Sequence, residues 1–205
     1  MNYRSKIELH NVDCMEYMKS CKDKQFSLAI CDPPYGININ SSGRLGYYGG
    51  KGKTWDNEIP TKEYFEELKR ISENQIIWGG NYFELPPTRC FLIWDKQQPQ
   101  NVSFASCEFA YTSFNRSAKT FYMRPQNADD YRIHPTQKPV ELYRWLLTNY
   151  AKEGDTIFDS HLGSGSIAIA CDNLGFDLTG CEIDKEYFDS AVKRLEPYRN
   201  QKSLF

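Results

Sequence analysis

No apolar run in the 205-residue sequence approaches the ~18–20 residues that a membrane-spanning helix needs. The stretch from Met1 to His10 also lacks the apolar segment of a secretory signal, so a cytoplasmic protein is expected. The seven cysteines, an odd number scattered from Cys14 to Cys181, include no C-x-x-C pair. That spacing excludes a secreted disulfide framework and a zinc knuckle, predicts no metal site, and fits a reducing cytosol. Neither sign of charge dominates: 25 Lys and Arg face 27 Asp and Glu, a net of −2. Nucleic-acid binders usually carry a basic excess, so charge alone does not point to one. Repeats, low-complexity tracts and long blocks of like charge are missing as well. What remains is an ordinary soluble composition, 40% hydrophobic, in a single domain over 1–205. A chain of this length can bury roughly 70% of its unfolded surface.

The hydrophobic pattern supplies the elements. Ile7 and Leu9 alternate with polar neighbours as in a strand, a short helix fits from Asp13, and 26–31 reads as a buried strand. Thr61 is placed to cap a helix with Tyr64, Phe65, Leu68 and Ile71 on its inner face. Strands are expected at 75–78, 90–94 and 109–114, and an irregular polar stretch from 115 to 132. Pro139 occupies the first-residue position of a helix that buries Tyr143, Leu146, Leu147 and Tyr150. The remainder reads strand 156–159, helix 164–174, strand 176–182 and helix 185–195, the last burying Phe188, Ala191, Val192 and Leu195. This alternation indicates an α/β domain with a mostly parallel sheet, whose ligands sit at the carboxyl ends of the strands.

Two turns at such ends carry chemistry. Asp159-Ser160-His161-Leu162-Gly163-Ser164-Gly165 runs from a strand into a helix. Its glycines allow close backbone approach to a ligand, and the helix N-terminus favours an anionic group. Glu182 ends the next strand, 23 residues after Asp159, where a carboxylate can accept both hydroxyls of a ribose. Residues 163–168 equally fit the dinucleotide fingerprint G-x-G-x-x-A, and a plain turn capped by Asp or Ser is the simplest alternative. A dinucleotide fold needs further strands downstream; 23 residues follow Glu182, so the remaining strands are expected upstream, in permuted order. The second turn is Asp32-Pro33-Pro34-Tyr35. Two prolines remove two backbone donors and leave carbonyls beside a carboxylate, a site rich in acceptors. Such a site suits an amino group on an aromatic ring. Hydrogen bonds from both amino hydrogens to Asp32 and the Pro33 carbonyl would turn the nitrogen lone pair toward an electrophile, while Tyr35 stacks on the ring.

With these motifs the chain resembles the S-adenosyl-L-methionine-dependent amino-group DNA methyltransferases, in particular the N6-adenine enzymes of the permuted β group, of bacterial or phage type. Their catalytic motif is D/N/S-P-P-Y/F and their cofactor motif F-x-G-x-G. Here the catalytic motif comes first, and His134-Pro135-Thr136-Gln137-Lys138-Pro139 is similar to the segment that group places before the cofactor loop. The resemblance implies a Rossmann-like methyltransferase fold. It assigns Asp32, Pro33, Pro34 and Tyr35 to catalysis. It gives Asp159, Gly163 and Gly165 to the methionine part of the cofactor, Glu182 to the ribose, Asp13 to the adenine moiety, and Thr136 and Lys138 to the cofactor carboxylate, with His161, Ser164 and Cys14 as further cofactor-binding residues. His161 stands where the family usually has Phe, and Ser160 where Pro is frequent.

Two loops, 36–53 and 115–133, are left for DNA contact. The first offers Arg44, Tyr47, Tyr48, Lys51 and Lys53; the second Arg116, Lys119, Tyr122, Arg124 and Arg132. Basic residues mixed with aromatics suit phosphate contact and base stacking. The function implied is methylation of adenine in DNA with the base flipped out. N4-cytosine methylation, RNA adenine methylation, a non-catalytic nucleic-acid-binding partner subunit and a dinucleotide oxidoreductase are the alternatives. No restriction nuclease motif is present, and a homodimer is compatible with the family.

Overall fold

A computed structural model describes residues 5–37, 56–99, 101, 105–125, 133–134 and 136–201. In chain order the elements are β1 (Ile7–His10), α1 (Cys14–Ser20), β2 (Phe26–Cys31), α2 (Lys62–Ile71) and β3 (Ser72–Trp78). A 3-10 turn, Gly80–Tyr82, precedes β4 (Leu92–Asp95), β5 (Cys107–Thr112) and β6 (Lys119–Tyr122). Then come α3 (Val140–Tyr150), β7 (Thr156–Asp159), α4 (Ser166–Leu174), β8 (Asp177–Cys181) and α5 (Lys185–Gln201). No helix among the described residues is long and apolar enough to cross a membrane.

The strands form one sheet in the order β1-β8-β7-β2-β3-β5-β4-β6. All run parallel except β5, which is antiparallel to both β3 and β4. The central strands are apolar on both faces because helices cover both. In β2, Leu28 and Ile30 pack into the core under α3, α4 and α5, while Ala29 and Cys31 point to the core under α1 and α2. Ile157 and Phe158 of β7 divide in the same way.

From β7 the chain steps outward to β8, whereas from β2 it steps the other way to β3. The order therefore reverses between β7 and β2, which pair through Leu28–Ile157 and Ala29–Phe158. A crevice opens beyond the carboxyl ends of strands at such a reversal. The Asp32 and Asp159 turns leave these two strands, so the topology brings both sequence motifs to one spot.

Several boundaries differ from the sequence reading. The stretch expected to be irregular contains β6, a four-residue edge strand with one partner, too short and polar for the alternation to register. Pro139 is the N-cap of α3 rather than its first residue, and α4 begins at Ser166 after an N-cap at Gly165. Strand β5 begins earlier than expected, at Cys107. Helix α5 continues past Leu195 through Pro197, whose missing N–H is tolerated in its exposed last turns. Thr61 is the N-cap of α2 but its side chain makes no capping bond.

Candidate active site

The Asp32 turn is fixed from two sides. Asp56 Oδ1 accepts hydrogen bonds from the backbone N–H of Tyr35 (2.8 Å) and Gly36 (3.1 Å). The Tyr35 hydroxyl donates to Asp32 Oδ1 at 2.6 Å, and Lys138 Nζ donates to Asp32 Oδ2 at 2.5 Å and to the Tyr35 oxygen at 3.2 Å. Lys138, only 3% exposed, also lies 2.9 Å from Glu108 Oε2, and Glu108 Oε1 is 2.6 Å from Lys96 Nζ. Charges thus alternate from Lys96 through Glu108 and Lys138 to Asp32.

Two carboxylates share one buried ammonium here, and they titrate apart. Burial raises Asp32, with the Glu108 charge adding to the effect and Lys138 only partly offsetting it. Burial also acts to raise Glu108, but two lysines outweigh it and bring it down to about 2. Lys138 is raised: burial opposes the shift, and the two carboxylates overcome it.

The glycine turn is cross-braced. Asp159, 1% exposed, accepts from His161 N–H at 3.0 Å. Glu182 accepts from Gly163 N–H (2.8 Å) and Asp184 N–H (2.9 Å), which aims its carboxylate at the loop. Gly165 caps α4 at φ 70°, and the Cβ of any other residue would come within 3.0 Å of Ala191 Cβ on α5. The cap is therefore a left-handed glycine, not the Asp or Ser of an ordinary capped turn. Burial lifts Asp159 to about 8, helped by Asp32 and Glu182, and lowers His161 to about 4. His161 is held by Ser160 Oγ, 2.8 Å from Nδ1, so it stays a neutral wall residue.

Two cavities meet at these turns. One, of about 290 Å³, is lined by Asp13, Cys14, Thr136, Lys138, His161, Gly163, Ser164 and Glu182. It thus gathers the expected cofactor residues except Asp159, buried behind the loop, and Gly165, turned toward α5. Asp13 also caps α1 through the N–H groups of Met15 (2.7 Å) and Glu16 (3.3 Å). Cys14 is pushed up to about 12 by burial, so it contributes as an uncharged surface. The second cavity, of about 350 Å³, is lined by Pro33, Tyr35, Gly79, Tyr82, Lys96, Glu108 and Phe109. Asp32, Pro34, Thr136 and Lys138 belong to both walls.

The sequence reading missed several wall residues. His134 packs against Tyr187 with the rings tilted by 60° and their centroids 4.3 Å apart, and Tyr82 lies nearly parallel to Tyr35 at 5.0 Å. Glu108 had a visible signal, a carboxylate in the apolar run of β5. Lys96, beyond the end of β4, had none. Lys138 was expected beside a cofactor carboxylate, but its ammonium turns to the Asp32 side. Of the expected DNA contacts, Arg44, Tyr47, Tyr48, Lys51, Lys53 and Arg132 lie outside the described residues. Arg116 and Lys119 fall at the opposite edge of the sheet, bonded to Asn149 at the end of α3. Tyr122, 63% exposed, is the last residue of β6 and Arg124 follows it, on the cavity side.

The first cavity has the walls of a site for a cation that bears hydroxyl groups. Asp13, Asp32, Glu182 and Asp184 line it, and the one lysine among the lining residues is already shared between two carboxylates. This donor set fits S-adenosyl-L-methionine, with its positive sulfur and ribose.

Fold and site together have the character of the α/β DNA methylase family. The family model described as DNA methylase, that of the N6/N4 methyltransferases, matches residues 77–193, more than half of the chain, and the chain belongs to this family. Among curated proteins it is similar to the Type II methyltransferase M.HpaI of Haemophilus parainfluenzae, 40% identical over 63 residues. That match takes in 31% of this chain and spans about a fifth, 20%, of the relative. Among solved structures, the M1.HpyAVI–SAM complex superposes with a TM-score of 0.58 at 20% identity, covering 92% of this chain and 98% of the other. The cytosine-N4-specific PvuII DNA methyltransferase superposes with a TM-score of 0.65 at 10% identity, covering 97% and 93%. The fold is that of these DNA methyltransferases.

Proposed function

We propose that the chain methylates the exocyclic amino nitrogen of adenine in DNA, with S-adenosyl-L-methionine held in the first cavity and the flipped target base in the second. Bound there, the cofactor supplies an electrophilic methyl group. Glu182 takes the ribose hydroxyls, Asp13 and Cys14 flank the adenine moiety, and the 159–165 turn carries the methionine portion. The Asp32 carboxylate and the Pro33 carbonyl accept the two amino hydrogens, which directs the nitrogen lone pair toward the first cavity. Tyr35 and Tyr82 confine the base. Orientation of this kind can supply roughly 7–11 kcal/mol of barrier reduction, against a few kcal/mol for extruding the base. The observation that carries the reading is the position of Asp32 on the wall common to both cavities. The seven unpaired cysteines suit work in the cytosol.

Methyl transfer from radiolabelled cofactor to genomic DNA tests this reading, with the product nucleosides identified by mass spectrometry. N6-methyladenine is expected. N4-methylcytosine would move the assignment to the alternative that the PvuII likeness favours. Asp32→Ala should abolish transfer while calorimetry still detects cofactor binding; near-normal turnover would remove Asp32 from the chemistry.

A further inference from the structure

Nothing in the catalytic or cofactor motifs accounts for Glu108. It sits in β5, two strands away from β2, yet its carboxylate reaches the same ammonium as Asp32. One oxygen, Oε1, is pinned by Lys96 at 2.6 Å. The other, Oε2, is buried and has no aligned hydrogen bond, although Lys138 Nζ is only 2.9 Å away. The ammonium's aligned bonds go instead to Asp32 Oδ2 and the Tyr35 hydroxyl. Asp32 therefore has Lys138 on one oxygen and Tyr35 on the other. A carboxylate engaged in this way is a weakened acceptor for an incoming amino group.

We propose that Glu108 is the alternative acceptor for the Lys138 ammonium. As the target amino group enters, Lys138 turns from Asp32 Oδ2 to Glu108 Oε2 and frees the Asp32 carboxylate for it. The inference deepens the proposed function and rests on it. The Lys138–Glu108 contact already exists at 2.9 Å, so the ammonium stays paired when it lets go of Asp32 Oδ2, and no bare charge is created in a buried place. It also explains the rigid anchoring of Glu108 by Lys96, since the receiving carboxylate has to stay put while the ammonium moves. Glu108 and Lys96 are positioning residues in this scheme, acting through Lys138.

The charged and titratable groups around Asp32 define what a titration would report. Lys138 precedes α3, Tyr143 lies on α3, Glu108 on β5, Asp159 ends β7, Tyr35 belongs to the turn itself, and Asp56 accepts from the turn's backbone. Glu108→Gln keeps the shape and removes one negative charge. Lys138 then belongs to Asp32 alone, so the Asp32 carboxyl should titrate at lower pH. This can be read without substrate by carbon NMR of aspartate-labelled protein, with Asp32→Asn used for assignment. In the same variant kcat should fall about 10–100-fold, as for a misplaced reacting group. Calorimetric affinity for S-adenosyl-L-methionine should stay within about twofold of wild type. Glu108→Asp, which keeps the charge at shorter reach, should retain the wild-type titration and lose less activity. An Asp32 titration unchanged by Glu108→Gln overturns the inference, as does undiminished kcat. Failure of the wild-type chain to methylate any DNA would instead sink the functional reading, while the NMR comparison would still decide whether Glu108 shares the ammonium.

Discussion

At the scale of single residues, the fold sets buried groups against one another in pH. Burial holds His161 at about 4, and burial with the Lys138 charge holds His134 at about 3. Both imidazoles bind a proton more readily in the unfolded chain, so stability is lost as pH falls below about 6.5. Asp159 behaves in the opposite sense. Its folded value of about 8 lies above the unfolded 3.8, so the folded state binds the proton more tightly and stability declines as pH rises toward 8. Above about pH 7.5 the imidazoles are nearly neutral in both states, and Asp159 then acts almost unopposed by them. The ligand-free protein should then lose roughly 2–4 °C in Tm per pH unit, from a slope of at most about 1.4 kcal/mol per unit. Asp159→Asn keeps the acceptor for His161 N–H and should flatten that decline. A Tm that climbs between about pH 7.5 and 8.5 would contradict the assignment. Residue identities at the two turns were legible because the chemistry of D-P-P-Y and of paired glycines is local. Glu108 and Lys96 were not, because their role exists only where β4 and β5 meet the segment before α3.

At the scale of elements, the parallel half of the sheet could be read from the sequence, since β2, β3, β7 and β8 are largely buried, the half-buried edge strand β1 alternates apolar with polar residues, and periodic helices lie between them. The other half could not be read as well. Strand β6 pairs on one side only, and β5 carries Glu108 and alternating half-exposed positions, so neither shows a clean period. The turn after β3 shows what such details do to the site. Gly79 has φ 71°, and a Cβ there would lie 2.2 Å from Tyr35 Cε1. The missing side chain is what lets the Tyr35 ring lie against the end of β3. Gly79→Ala should displace that ring as well as strain the backbone by about 1–2 kcal/mol. Turnover should drop by about 10²-fold, the scale of an ångström-sized misplacement, with cofactor affinity preserved. Kinetics beside calorimetry on the variant checks this, and unaltered turnover would show that Tyr35 does not position the base.

At the scale of the whole molecule, a net charge of −2 raises the question of where DNA could sit. The sheet answers part of it by sorting basic residues between its two edges. Arg116 donates to the Asn149 carbonyl at 2.8 Å and stacks over Phe114 and Tyr150, while Lys119 bonds the Asn149 side chain. These cations meet the negative end of the α3 dipole, a structural use that a count of basic residues in a loop does not reveal. Arg124 lies beyond the other end of β6, past the exposed ring of Tyr122, on the side where the cavities open. DNA bound over Asp32 would meet Arg124 and not Arg116. Each phosphate contact contributes about 0.9 to the slope of log affinity against log salt on duplex DNA. Arg124→Gln should therefore lower that slope by about one, measured by fluorescence anisotropy with a labelled duplex across a salt series, and Arg116→Gln should leave it unchanged. Equal effects of the two substitutions would mean that DNA does not approach from the carboxyl edge of the sheet.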